Sequence, residues 1–199
     1  MRNPPHHRAA HRAVLTATVL IIAGTLSGCM AAPAPTDTSA PPPAAAPTAT
    51  PPVFASDEEA LAAAEAAYAA YEELSAAVTA DGGFGGDRIE PAASPKYLPD
   101  LLDSFVGFSK TGFTSRGSST FDNVSLIRNS IEPRGGVSIE LYLCSDISEV
   151  RLIDKTGADV TPAGRTNRTP LQVGFTSSAA NPSLLLLDKE DVWSGRNFC

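Results

Sequence analysis

Residues 137–149 read VSIELYLCSDISE, and their alternation decides the fold. Val137, Ile139, Leu141 and Leu143 take every second position, with Ser138, Glu140, Tyr142 and Cys144 between them. Successive side chains of a strand point to opposite faces, so this pattern predicts a strand buried on one side and wet on the other. Outward from it the same period recurs. Segment 119–131 (STFDNVSLIRNSI) is rich in β-favouring types, and 169–176 alternates through Leu171, Val173 and Phe175. Segment 183–193 (SLLLLDKEDVW) closes the series. PRGG at 133–136 and NPS at 181–183 suit hairpins, and DKTG at 154–157 suits a tight turn.

Upstream the period is helical. Ser56 followed by Glu59 forms a capping-box pattern, with Asp57 and Glu58 where the helix dipole favours acids. Leu61, Ala64, Tyr68, Tyr71, Leu74 and Val78 make one apolar stripe, and Asp81, Gly82 and Gly83 end it. A second helix is expected over about 95–110, apolar through Tyr97, Leu98, Leu101, Leu102, Phe105, Val106 and Phe108, with Pro99 in its first turn. GGFGGD at 82–87 reads as a flexible interhelix loop, because it follows a helix and lacks the lysine of a phosphate-cradling loop. Two helices followed by about four antiparallel strands predict an α+β domain, with the helices on one face of a curved sheet.

The AAYAAYEELSAAVTADGG helix, the TFDNVSLI, VSIELYLCSDIS and TPLQV strands and the terminal VWSGRNFC carry a resemblance. Their order is similar to the cone-shaped nuclear transport factor 2-like fold, and more narrowly to small actinobacterial lipoproteins bearing such a domain. The resemblance spans roughly 56–199. It implies a cone with an open mouth, in which enzymes of this fold commonly use Asp, Tyr or His. The same fold also hosts binding and accessory modules.

The N-terminus supplies an address. MRNPPHHRAAHR carries Arg2, Arg8 and Arg12, and AVLTATVLIIAG is an apolar run of 12 residues, short for a mature membrane span and suited to a signal peptide. Leu26, Ser27, Gly28 and Cys29 then resemble the lipobox of bacterial lipoproteins position by position. The expectation is a signal at 1–28 and a diacylglycerol-bearing Cys29, whose two chains suffice for stable anchoring at the outer side of the cell membrane. Cleavage at an ordinary small-residue site, leaving Cys29 a plain thiol, is the alternative. From Met30 to Pro52 the chain is almost entirely Ala, Pro and Thr, with nothing large to bury, and reads as a disordered stalk before a domain at 53–199.

Loss of residues 1–28 removes His6, His7 and His11, the chain's three histidines, and three of its 15 basic residues. The remaining 12 bases face 22 acids, a net charge of −10, which argues against nucleic acid as a partner. Without histidine, a Ser-His-Asp triad or a histidine base is excluded. KTG at 110–112 and 155–157 resembles one element of penicillin-recognising serine enzymes, but no lysine has a serine three residues before it. Both copies read as a helix end and a turn.

Cys144 and Cys199 remain after lipidation and are expected to pair, pinning the tail to the strand at 137–149. A free buried thiol at 144 with a frayed Cys199 is the alternative. Two sulfurs without histidine make no zinc site, and neither metal nor cofactor is expected. Asp122, Arg128, Tyr142 and Asp146 are the polar strand residues that could line a pocket, with Asp146 or Asp122 as a base. Yet Glu140, Tyr142 and Asp146 share the face opposite the apolar residues, which more simply means solvent. Trp193 reads as a core or rim anchor ahead of a ligand platform. Two functions follow: a non-enzymatic lipid-anchored module holding an envelope protein or ligand, or a small-molecule binder or isomerase/dehydratase using a carboxylate in the cone.

Overall fold

The computed structural model describes residues 52–199. The signal at 1–28, the lipidated Cys29 and the stalk up to Pro51 lie outside the described residues. The architecture is α+β, with two α-helices, a 3₁₀ segment and antiparallel sheets of four and two strands.

Helix α1 (Asp57–Ala80) starts where its caps place it. The Glu59 amide donates to Ser56 Oγ at 3.2 Å, and the Ala55 amide donates to the Glu59 carboxylate at 2.7 Å, so the reciprocal bond of the box falls one residue early. Ala60, Ala64, Tyr68, Tyr71 and Val78 form its buried stripe, and Leu61 and Leu74 pack at the margin. At the C-terminus the Gly83 amide donates to Val78 O at 2.9 Å and the Gly82 amide to Thr79 O at 3.0 Å, which satisfies carbonyls the helix leaves open. Gly83 has φ +84°, and a Cβ there would sit 2.5 Å from Phe105 O, so a later helix crosses too close for any other residue.

The glycine-rich stretch is not a flexible loop. It turns directly into a 3₁₀ segment, Gly86–Ala92, whose Ile89 is fully buried. Arg88 ties the turn by donating to Asp81 Oδ2 at 2.8 Å, Phe84 O at 3.0 Å and Gly85 O at 3.1 Å. Helix α2 (Leu98–Ser109) buries only Leu101 and Phe105, while Val106 is 50% exposed. It packs chiefly on the 3₁₀ segment and α1, so α1, not both helices, covers the sheet.

The strands are β1 (Thr114–Arg116), β2 (Thr120–Ile131), β3 (Val137–Asp146), β4 (Arg151–Ile153), β5 (Arg168–Ser178) and β6 (Asn181–Val192). Six strands replace the expected four because the short β1 and β4, three residues each, pair as a separate ribbon. The four long strands form an antiparallel meander in the order β2-β3-β5-β6. PRGG makes the β2–β3 turn, with the Gly135 amide donating to Glu132 O at 2.9 Å. The β5–β6 turn closes at the Ser178–Asn181 pair, so NPS opens β6 instead of forming the turn. Asp154 organises the DKTG turn through the amides of Thr156 and Ala158.

Leu141 lies opposite both Leu126 and Val173, and Ile139 lies opposite Phe175. With Leu143, Leu171 and Leu187 they meet Ala64 and Tyr68 of α1 in a single core. Register shifts interrupt β2 between Asp122 and Ser125 and again between Leu126 and Arg128, with Asn123 at φ +51°. Another interrupts β6, where Leu187 opposes Phe175 and Lys189 opposes Gly174, leaving Asp188 unmatched. Such bulges bend a strand and reverse which residues face the core. The outer edge of β6 is covered: Ala93 bridges to Leu187, the Ser94 amide donates to Leu187 O at 2.8 Å, and Asp188 binds Ser94 Oγ at 2.7 Å and Lys96 at 2.8 Å.

Candidate functional site

The site arises where α1 meets the far end of β6. Tyr68, Glu72, Ser75 and Thr79 recur at spacings of three and four along α1, and therefore share one side of it. On β6, strict alternation from Leu185 and Leu187 would send Glu190 to the outer side. The unmatched Asp188 shifts the parity, so Lys189 turns out over Gly174 and Glu190, opposite Val173, turns in. There Tyr68 donates its hydroxyl to Glu190 Oε2 at 3.1 Å. Across the same space the Ser119 hydroxyl donates to Glu72 Oε2. Ser115 donates to Thr79 Oγ1 at 2.8 Å, and Thr79 in turn donates to Ser75 O at 3.0 Å.

Beside them lies a half-open cavity of about 270 Å³, with Glu72, Ser75 and Tyr71 on the helix wall and Ser145, Glu190, Ser115 and Ser119 on the opposite side. A second cavity of about 390 Å³ adjoins it between Ala69, Glu73 and Phe121. Glu72, Ala76 and Ser119 line both, so the two chambers share one wall.

Burial governs the electrostatics. Glu190 is pushed up to about 7, first by desolvation and then by the nearby charge of Glu72. Glu72 is raised by desolvation as well. Tyr68 and Tyr71 are driven far above the normal phenol range by burial and by the Glu190 charge, and Tyr97 is pushed up to about 12 for the same reasons. Among the described residues no Lys or Arg forms an ion pair with Glu72 or Glu190. The site is a carboxylate pair sharing charge repulsion in a partly dry space, held by hydroxyls.

The residues read from sequence as pocket candidates lie elsewhere. Even-numbered β3 residues face away from α1, and their partners follow them. Arg168 binds both Asp122 oxygens, at 2.6 and 2.9 Å, and Asp146 at 2.8 Å. Asp146 also accepts the Ser148 amide, which with Arg168 holds its carboxyl below the usual range. Arg128 pairs with Glu140 at 2.8 Å, and Lys189 reaches Glu140 at 3.4 Å. Tyr142 packs against Trp193 and Phe198, ring centroids 4.7 and 5.7 Å away. Asp122, Arg128, Tyr142 and Asp146 thus belong to an ion-paired outer surface and line neither chamber.

The chain's last residues cross that outer surface as a strap. Cys144 and Cys199 come together as a disulfide, Cα atoms 5.4 Å apart. The Trp193 amide donates to Pro170 O at 2.8 Å and Asn123 Nδ2 donates to Phe198 O at 3.4 Å. Trp193 is an anchor of this strap. Glu72, Glu190 and Tyr68 escaped the sequence reading: Tyr68 counts there as core, and Glu190 is visible only once the bulge is known. Glu72 left one signal, a carboxylate four residues after Tyr68, on the flank of the apolar stripe.

No protein-family model matches the chain, and comparison with curated proteins finds no match. Among solved structures, the intermembrane space region of the chloroplast protein ARC6 aligns at 12% identity, covering 68% of this chain and 97% of that one, with a TM-score of 0.48. A periplasmic fragment of TraM aligns at 12% identity over 69% and 96% of the two chains, with a TM-score of 0.45. Similarity at this level carries no argument about family or function. Among the described residues no helix is long and apolar enough to cross a membrane.

Proposed function

We propose that this protein is a non-enzymatic, lipid-anchored binding module of the cell envelope, and that the chambers between α1 and β6 are its ligand site. The observation that carries the binding role is the cavity itself: a half-open cleft whose two carboxylates have no cationic partner among the described residues. The address is supported by LSGC at 26–29 after a 12-residue apolar run, and by the Ala/Pro/Thr tract that follows Cys29. One α-helix over one face of a bulged meander is also the arrangement from which the nuclear transport factor 2-like reading of the domain draws its support.

The enzymatic reading has one observation in its favour. A carboxylate with a pKa near 7 is suited to general base work, and Glu190, not Asp122 or Asp146, occupies that position. Its partner for proton transfer on the same wall would be Glu72, a second raised carboxyl that already accepts the Ser119 hydroxyl. Tyr68 and Tyr71 hold their protons far too tightly, and Ser115 and Thr79 are bonded to each other. With both carboxyls already occupied by hydroxyl donors, binding is the reading preferred over turnover.

The anchor is tested by mass spectrometry of the membrane fraction. The expected species begins at a diacylated Cys29, and Cys29→Ala should release the protein to the medium. An unmodified mature N-terminus defeats the anchoring proposal. Ligand binding is tested by calorimetry with Ala76→Phe, which places a ring on the wall that both chambers share. Unchanged binding in that variant removes the cleft from the reading.

A further inference from the structure

We propose that the chamber between Glu72 and Glu190 takes a compact organic cation, a protonated amine bearing hydroxyl groups, with its ammonium between the two carboxylates. This rests on the reading of the cleft as the ligand site.

The charge pattern of the domain points to the sign of the ligand. Three half-buried carboxylates on the long strands have a base at hand: Asp188 has Lys96, Asp146 has Arg168, and Glu140 has both Arg128 and Lys189. Glu72 and Glu190 have only hydroxyls, from Ser119 and Tyr68. A desolvated carboxylate without a cation is costly, and an entering ammonium would offset that cost. Nothing on the chamber wall offers positive charge to an anion.

The remaining wall sets the rest of the chemistry. Ser75 and Ser145 present hydroxyls, and Ser119 keeps its acceptor lone pairs, a wall that suits ligand hydroxyls over an aliphatic tail. Tyr71 adds an aromatic face beside the carboxylates, of the kind that attracts ammonium groups. About 270 Å³ falls just under the size of ordinary drug-like pockets, which confines the occupant to a small molecule. A metal ion fits less well, since among the described residues no three acid, histidine or cysteine side chains converge.

Occupancy should couple to protons. The groups facing Glu190 are Tyr68, Tyr71 and Glu72 of α1, Tyr97 before α2, and Asp191 on its own strand. The tyrosines stay neutral throughout the physiological range, because burial holds their protons. The ammonium therefore competes with the proton carried by Glu190, and amine affinity should rise as pH climbs through 7.

The test is isothermal titration of the full chain in detergent micelles with ethanolamine, putrescine and glucosamine, each beside its N-acetylated analogue. Saturable binding of at least one amine is expected at pH 8. Affinity should fall about tenfold at pH 5 and at least tenfold in Glu72→Gln and in Glu190→Gln. Glu73→Gln, on the wall of the neighbouring chamber alone, should leave it unchanged. Circular dichroism of each variant separates lost binding from lost fold, and Ser115→Ala supplies a milder change of the same wall. Equal loss in Glu73→Gln means diffuse charge attraction and overturns the proposal. Tighter binding of the N-acetylated probes overturns the amine class while leaving the cleft as a ligand site. No saturable binding by any probe ends the amine proposal.

Discussion

The two faces of the four-stranded sheet carry acids in opposite states. On the outer face, Asp122, Asp146 and Glu140 are matched by Arg168, Arg128 and Lys189, and Asp146 is held ionised. On the inner face, Glu190 and Glu72 are raised, paired only with hydroxyls beside a cavity. The same residue type serves two ends. Outside, charge is cancelled and structure results. Inside, charge is left uncancelled, and that is where a ligand has something to gain.

The largest effect that would sharpen this contrast lies in the inner core. Phe175→Ala should cost about 3–5 kcal/mol, because Phe175 is nearly inaccessible and its loss leaves a cavity against α1. Urea unfolding checks it, and a cost below about 1 kcal/mol would mean that α1 does not seal this face.

The next effect belongs to the outer face. Cys199→Ser opens a loop of 55 residues and should cost about 2–4 kcal/mol. Its midpoint should equal that of the reduced wild-type protein. A variant as stable as oxidised wild type would show that the strap holds without its covalent tie.

The inner acids give the third prediction, by pH. Glu190 ionises near 7 when folded and near 4.5 when unfolded, so the folded state holds the extra proton between those values. Stability should thus be full below about pH 4.5 and decline as pH rises through 7, by on the order of 2 kcal/mol. Glu190→Gln should flatten this decline and be the more stable protein at pH 8. A wild-type profile that rises with pH over that window would break the proposed difference between the faces.

The smallest effect is expected from Arg168→Ala. Asp122 is exposed, and the half-buried Asp146 keeps the Ser148 amide when Arg168 is lost, so the urea midpoint should move only slightly. Asp146 should titrate higher by NMR, though still depressed through the Ser148 amide. A large loss of stability would mean that the outer charges do more than cancel.

How much of this was legible depends on where period two survives. In β3 it survives throughout, and Val137, Ile139, Leu141 and Leu143 face the core as their spacing says. The same spacing placed Tyr142 and Asp146 on the opposite face, where they are found. In β6 the pattern fails, because four consecutive leucines and then DKED offer no alternation from which to count. The bulge at Asp188 is stabilised by Ser94 and Lys96, more than ninety residues away, and no local rule sees them. Glu190 was hidden for that reason. The ribbon of β1 and β4 was missed because three residues are too few to show a period. Arg88 likewise fastens a glycine-rich turn that composition alone reads as loose.

The strap also changes how the domain would carry tension. A pull applied at Cys199 passes through the sulfur bridge into Cys144, on an interior strand of the sheet. Everything from Ser145 to Phe198, including all of β5 and β6, lies inside the closed loop and bears none of the force. With the bridge intact, a terminal load must shear β3 from its neighbours on both sides at once. With the bridge reduced, the same load unzips the sheet from its β6 edge one hydrogen bond at a time. One covalent link thereby decides whether this small domain yields as a block or as a zipper.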